Sequence, residues 1–246
     1  MKIFLSALEA SPDGQKIIDN AKLLFNLMSF YFIRGKGRER AFEIRDKSEL
    51  ILIDSGAHSF QKGAKVDWVE YTKQYAQFIK EFDNDKVLGY FEMDVDNIIG
   101  YDHVLELRAI LEGASDKIIP VWHKNRGIAD FKQMCQKYAG KIVAITGFKN
   151  EDIKDDQYLM FVKYAHQFNC KVHCLGMTRK KVLDKVPFDF VDSSSWKQQA
   201  IFGRCNGKQV SKEFSKTNRE DVMFASYLEG VKMQKHYLNY WRNNND

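Results

Sequence analysis

Short apolar runs alternate with amphipathic segments along the chain, and this alternation most narrows the folds it can adopt. Eight runs have the character of buried strands: 3–8, 27–33, 50–53, 87–93, 118–122, 142–145, 172–175 and 188–191. Amphipathic segments between them include 68–82, 102–111, 128–138, 157–168 and 179–186. Within 68–82, the apolar residues Trp68, Tyr71, Tyr75 and Phe78 recur at helical spacing. A helix after each strand predicts parallel strands joined by helical crossovers.

Eight strands are the number that closes a (β/α)8 barrel, so the predicted fold class is α/β with a TIM barrel, irregular in places. An open, doubly wound sheet has similar content, but no GxGxxG motif follows any strand. A length of 246 residues fits one barrel, and no Gly/Ser-rich linker interrupts it. We therefore predict a single domain over 1–246 with a C-terminal helical segment at about 211–241.

Composition and charge exclude some classes of protein. Apolar residues make up 44% and charged residues 29%, which is typical of a soluble globular protein. The net charge of +5 suits a polyanionic partner, although many enzymes carry as much.

No apolar run approaches the ~20 residues of a membrane span or the pattern of a signal peptide, so we expect a cytoplasmic protein without membrane association. The four cysteines form no CxxC pair, and we predict no metal site and no cofactor.

Reactive side chains follow several of the predicted strands. Asp54 follows the third run, Asp94 the fourth, His123 the fifth and Asp192 the eighth. A single Asp at a strand end often only caps the next helix. Three carboxylates from different strands, however, converge on one barrel mouth, where active sites of parallel barrels lie. Clustered carboxylates repel one another unless a proton, a cation or a substrate compensates. This pattern therefore predicts an active site at the mouth.

Carboxylates at such a site permit several reactions. One can act as a nucleophile and another as a general acid/base, as in retaining glycosidic chemistry. A third can accept hydrogen bonds from the edge of a nucleobase. The nearby aromatic residues Phe60, Trp122, Phe148 and Trp196 are candidates for stacking on a planar heterocycle, with packing in the core as the alternative.

Four ordered segments resemble the tRNA-guanine transglycosylase family. DSGAHSF at 54–60 resembles the family's DSGG(F/Y)Q segment, and FEMD at 91–94 resembles its region after the fourth strand. ITGF at 145–148 is similar to the Gly-Gly-Leu turn. VHCLGMTRKKVLDKVPFDFVDSSSW at 172–196 is similar to the stretch that ends in the nucleophilic Asp. The resemblance covers roughly 50–196.

The resemblance implies a double-displacement exchange of guanine in a nucleic acid for a free 7-deazaguanine base. Asp192 would attack the anomeric carbon, Asp54 would manage the proton of the departing and incoming bases, and Asp94 would read the guanine edge. The Gly147 backbone N–H would bond the base carbonyl, and His123 stands where the family has a Gln that contacts the base. The remaining substrate-binding candidates are Ser55, Gly56, Phe60 and Trp196.

The chain departs from the tRNA enzymes because it is short and lacks both their zinc-binding cysteine set and the basic run that follows. In this it resembles the DNA-modifying branch found in bacteriophages and mobile islands, which inserts a 7-deazaguanine precursor of the preQ0 type. DNA is then the expected polymer, with the target base flipped out or single-stranded. Lys197 and Arg204 are the expected phosphate contacts, with Lys208, Lys212, Lys216 and Arg219 as further candidates. If the protein is phage-encoded, it would act in the host cytoplasm.

Alternatives remain open from sequence. A tRNA-directed transglycosylase shares the chemistry and differs in the polymer. A nucleoside or sugar hydrolase on a TIM barrel uses the same carboxylates. A nucleic-acid-binding protein on a degenerate barrel uses none of them. The sequence also leaves open whether the protein forms a homodimer.

Overall fold

The computed structural model describes residues 1–35, 37–60, 65–146, 153–210 and 218–244. Nine strands form one sheet: β1 (Lys2–Ser6), β2 (Phe25–Ser29), β3 (Leu50–Asp54), β4 (Val87–Phe91), β5 (Ile118–Ile119), β6 (Val121–Trp122), β7 (Ile142–Thr146), β8 (Lys171–Leu175) and β9 (Phe190–Ser193). Their order is β5-β4-β3-β2-β1-β9-β8-β7-β6, and all pairings in this sheet are parallel.

The two edges of this sheet belong to the same stretch of chain. β5 and β6 are separated only by Pro120, which has no N–H to donate to a neighbouring strand. Counted as one interrupted strand, they close the sheet into an eight-stranded barrel. Glu92 bridges the interruption. Its side-chain Oε1 accepts the Val121 N–H at 2.6 Å, and its backbone N–H donates to the Ile119 carbonyl. The predicted TIM barrel is confirmed.

Helices surround the barrel. They are α1 (Gln15–Asn20), α2 (Phe30–Ile33), α3 (Arg38–Lys47), α4 (Trp68–Phe82), α5 (Asp96–Ile99), α6 (Tyr101–Glu112), α7 (Gly127–Lys137), α8 (Tyr158–Gln167), α9 (Lys180–Leu183), α10 (Ser195–Ile201) and α11 (Arg219–Asn243). A short antiparallel hairpin, β10 (Arg204–Cys205) and β11 (Lys208–Gln209), follows α10. Among the helices of the described residues, none is long and apolar enough to cross a membrane.

The helix α4 supports the loop that follows β3. Asp67 caps its N-terminus by accepting the Glu70 N–H at 3.0 Å. Its buried face carries Tyr71 and Tyr75, whose hydroxyls donate to the Ser55 and Ile53 carbonyls at 2.7 and 3.1 Å. The helical spacing seen in the sequence therefore positions the DSGAHSF segment as well as filling the core.

One strand ends earlier than predicted. The run 27–33 reads as a single strand in sequence, but β2 ends at Ser29 and Phe30–Ile33 form a helical turn, α2. The change of direction brings the Phe30 ring against Tyr75 and Phe78 of α4, at centroid distances of 4.9 and 5.3 Å. Tertiary packing thus determines the conformation of an apolar run whose periodicity fits either structure.

The C-terminal helix α11 packs against β1 and β2. Gln234, fully buried, donates to the Ile3 and Phe25 carbonyls at 2.8 and 2.7 Å. Gly230 lies so close to the barrel that a Cβ there would be 2.9 Å from a methyl of Leu5. The predicted C-terminal helical segment is confirmed over Arg219–Asn243, and its first part, 211–217, lies outside the described residues.

Candidate active site

A cavity of about 720 Å³ lies at the C-terminal ends of the barrel strands. Asp54 ends β3, Asp94 follows β4 and Asp192 lies near the end of β9, and all three line this cavity together with His58 and His123. The structure therefore brings the three carboxylates singled out in the sequence to one place. Their surroundings differ, and these differences give them different chemical properties.

Asp192 is held mainly through one of its two oxygens. Its Oδ1 accepts the Gly176 N–H at 2.8 Å and lies 3.0 Å from Nε2 of His173, whereas Oδ2 has only the longer contact from Ser6 Oγ at 3.3 Å. His173 is fully buried, and its Nδ1 has no hydrogen-bond partner, so the ring is best satisfied when its single proton is on Nε2 and points at Asp192. This arrangement fixes the carboxylate and leaves Oδ2 the freer oxygen.

Asp54 is suited to carry a proton. Its Oδ2 accepts the Gly56 N–H at 3.0 Å. Burial raises the pKa of Asp54 to about 6; the Gly56 N–H and His58 lower it, and the charges of Asp94 and Asp192 add to the rise. A group with this pKa exchanges a proton readily near neutrality.

Asp94 remains ionised, because two imidazoles hold it. Nε2 of His123 lies 2.6 Å from Oδ1, and Nε2 of His58 lies 2.9 Å from Oδ2. Burial alone would raise the pKa of Asp94, but these hydrogen bonds and the charges behind them keep it well below its ordinary value. The same contact with Asp94 raises the pKa of His58. Asp94 is thus a permanent acceptor within the cavity.

The loop after β3 depends on a glycine. Gly56 has φ +75°, and a Cβ there would be 2.5 Å from both Ser29 Oγ and Tyr31 Cβ. Ser55 is fully buried, with its carbonyl bonded by Tyr71. These two predicted substrate-binding residues therefore shape the loop that presents Asp54.

Two aromatic residues predicted to bind substrate pack elsewhere. Phe60 contacts the edges of Tyr31, Trp68 and Tyr71 at centroid distances of 5.0–5.3 Å. Trp196 is only 3% exposed, donates its indole N–H to the Ser6 carbonyl at 3.0 Å, and meets Tyr227 edge to face. Neither residue lines the cavity, and their contact with substrate stays a prediction.

The predicted phosphate contacts also differ from each other. Lys197 donates to the Ala7 and Ala10 carbonyls at 3.2 and 3.1 Å, and burial lowers the pKa of its ammonium. Its charge therefore fastens the loop after β1, and its contact with phosphate stays a prediction. Arg204 is exposed in the hairpin β10–β11, where its Nε lies 3.4 Å from Oε1 of Gln209. The predicted base contact Gly147, and with it Phe148, lies outside the described residues.

Sequence reasoning missed Glu9 and the role of His173. Glu9 lines the cavity from the loop after β1, and its only sequence signal is a position just beyond a strand end. His173 appears in sequence as one residue of a buried strand. Its contact with Asp192 arises only because β8 and β9 are neighbours in the barrel.

One group of potential metal ligands adjoins the cavity. Oxygen or nitrogen atoms of Asp94, Asp96 and His123 lie within 4.8 Å of one another. Asp96, however, already accepts hydrogen bonds from Arg126 Nε and Asn125 Nδ2, both at 3.1 Å. The Arg126 guanidinium therefore supplies the positive charge that Asp96 requires, so this group gives no argument for a bound ion.

Comparisons with known proteins show the fold alone. No family model and no curated protein matches the sequence. Among solved structures, a putative fructose-1,6-biphosphate aldolase from Coccidioides immitis superposes with a TM-score of 0.57 over 95% of this chain and 89% of that chain. The two sequences are 8% identical. Similarity at this level supports the TIM barrel and carries no argument about activity.

Proposed function

We propose that the protein is a pentosyltransferase that exchanges guanine in DNA for a free 7-deazaguanine base through a covalent Asp192 intermediate. The observation that carries the proposal is the convergence of Asp54, Asp94 and Asp192 on one cavity, each in the environment that its role requires. The motif resemblance supplies the reaction, and the fold of the aldolase neighbour supplies no competing one.

Asp192 would act as the nucleophile through Oδ2. Since Oδ1 holds the bonds to Gly176 and His173, Oδ2 is free to exchange its weak contact with Ser6 for the anomeric carbon. As Oδ2 bonds C1′, the C1′–N9 bond breaks and its electron pair leaves with guanine. The donors on Oδ1 keep the carboxylate oriented through both halves of the reaction.

Asp54 would transfer the proton. With a pKa of about 6, its carboxyl gives a proton to the departing guanine in the first half-reaction. The resulting carboxylate then takes the N9 proton of the incoming base, whose nitrogen displaces Asp192 from C1′. Atoms and charge balance over the cycle, and the enzyme returns to its starting state.

Asp94 would read the base edge as an ionised acceptor. In the free protein both of its oxygens are bonded to imidazoles, and the base edge would take the place of one of them. His58 is the partner that can leave, because its side chain is 77% exposed, whereas that of His123 is 13% exposed. Base binding would therefore turn His58 out of the cavity while His123 continues to hold Asp94.

Incorporation of labelled 7-deazaguanine tests the reaction and the polymer together. Purified protein is incubated with the labelled base and with duplex DNA, single-stranded DNA or tRNA. We expect incorporation into DNA, and a denaturation-resistant protein–DNA adduct when no incoming base is supplied. In Asp192→Asn, the rates of incorporation and of adduct formation should both fall by at least about 10³-fold. Asp156→Asn, at an exposed carboxylate, should retain both rates.

Each alternative has its own result in this assay. Incorporation into tRNA alone would reassign the polymer and keep the chemistry. Release of free guanine without incorporation would indicate a hydrolase. No turnover with any of the polymers, or full activity of Asp192→Asn, would overturn the proposal.

A further inference from the structure

Glu9 places a fourth carboxyl in the cavity, in an environment unlike the other three. The residue is 5% exposed and lines the cavity beside Ser29. Its Oε1 accepts the Ser29 N–H at 3.0 Å. Its Oε2 is buried and has no hydrogen-bond partner, and neither has the buried Ser29 Oγ. A buried polar atom without a partner is uncommon, and beside a cavity it indicates a place where a ligand supplies the partner.

Among the residues that the structure describes, none forms an ion pair with Glu9 that would offset a negative charge. The nearby ammonium of Lys197 is hydrogen-bonded to the carbonyls of Ala7 and Ala10, on either side of Glu9 in the sequence. Burial raises the pKa of Glu9 to about 7; the Ser29 N–H and Lys197 oppose the rise, and the charge of Asp54 adds to it. The neutral acid is therefore the form that fits this environment, since a desolvated charge needs a partner.

We propose that Glu9 is a substrate-binding residue whose protonated carboxyl donates a hydrogen bond from Oε2 to an acceptor atom of the bound nucleotide. The inference rests on the proposed function for its ligand class. It adds a specificity contact that neither the motif resemblance nor the three aspartates supply. A donor is the right group for a polymer rich in oxygen acceptors, whereas a carboxylate in the same place would repel phosphate.

Other titratable groups face the same region, and the experiment must separate their effects. Those that line the cavity are Asp54, His58, Asp94, His123 and Asp192. On the outer side, Glu9 also borders a second depression with Glu39, Arg40 and Glu43 of α3. A pH effect on binding is therefore assigned to Glu9 only where substitution of Glu9 removes it.

Binding of 7-deaza-2′-deoxyguanosine 5′-monophosphate at pH 6 and pH 8.5 tests the ligand contact, because this probe carries base, sugar and phosphate together. The wild-type protein should bind about fivefold more weakly at pH 8.5, when Glu9 has lost its proton. Glu9→Gln keeps a neutral donor and should bind at both pH values within about threefold of the wild type at pH 6, while Glu9→Ala should bind about fivefold more weakly at both. Glu39→Gln, an exposed carboxyl at the outer depression, should behave as the wild type.

A ligand-free measurement separates this inference from the proposed function. The ¹³C carboxyl signal of Glu9, assigned by its loss in Glu9→Gln, should titrate near pH 7. Titration at the ordinary value of 4.5 would overturn the inference, and so would nucleotide binding by Glu9→Gln as weak as that by Glu9→Ala. A wild-type protein that binds no nucleotide while Glu9 titrates near 7 would contradict the proposed function, and with it the ligand assigned to Glu9.

Discussion

Asp54 shows how one residue can favour chemistry at the expense of stability. Its carboxyl has an ordinary pKa of 3.8 and a pKa of about 6 in the folded protein, because the cavity disfavours its charge. A raised pKa means that the folded state binds the proton more tightly than the unfolded state. The contribution of Asp54 to stability is therefore highest when it is protonated, and it falls as the pH rises from about 4 through about 6.

Asp54→Asn should consequently be inactive in base exchange but more stable than the wild type at alkaline pH. The amide keeps an oxygen for the Gly56 N–H and removes the charge, whose burial costs up to about 3 kcal/mol. The gain in the free energy of unfolding should grow by about 1 kcal/mol between pH 5 and pH 8, measured by urea denaturation. Asp156→Asn serves as the control. A gain that is the same at both pH values would show that charge burial at Asp54 is not the cause.

Residues that were all candidates for the site in sequence have different surroundings in the fold. Asp54, Asp94 and Asp192 could be placed from sequence, because the C-terminal ends of parallel strands meet at one mouth. The surroundings of Trp196 and Lys197 could not be predicted. The type of a residue beside a motif does not determine whether its side chain faces the cavity or the barrel wall. Glu9 lies in a loop whose path is set by tertiary contacts, and no periodicity reveals it.

At the scale of elements, the strands were predictable because they are buried on both faces and appear as continuous apolar runs. The hairpin β10–β11, with two-residue strands, has no such signal. The attachment of α11 to the barrel could also not be predicted from the sequence. It depends on Gln234, a polar residue within a helix, which bonds carbonyls of two different strands.

Gln234→Leu should destabilise the protein by about 2–3 kcal/mol. The substitution introduces an apolar side chain of similar size and leaves the Ile3 and Phe25 carbonyls buried without their donor. The midpoint of urea denaturation should fall with little change in its slope. Lys235→Leu, at an exposed position on the same helix, should have little effect. Equal stability of Gln234→Leu and the wild type would mean that α11 is held by its apolar face alone.

Within the described part of the chain, two apolar clusters share strands of the barrel. In β1, Ile3 belongs to the cluster that contains Trp122, whereas Phe4 and Leu5 belong to the cluster that contains Trp196. The backbone of β1 therefore contributes side chains to both clusters. Neither cluster can lose its packing while the barrel wall stays intact, and this favours the single cooperative domain expected from sequence.

Two single-tryptophan proteins test this cooperativity. One retains Trp122 and the other Trp196, with the remaining tryptophans replaced by Phe. Trp122 reports on its contacts with Phe131 and Phe161, and Trp196 on its contact with Tyr227. In each protein the fluorescence midpoint in urea should coincide with the midpoint from far-ultraviolet circular dichroism, because the local packing and the barrel unfold together. A fluorescence transition that precedes the dichroism transition in either protein would divide the chain into two units, and the single-domain prediction would be wrong.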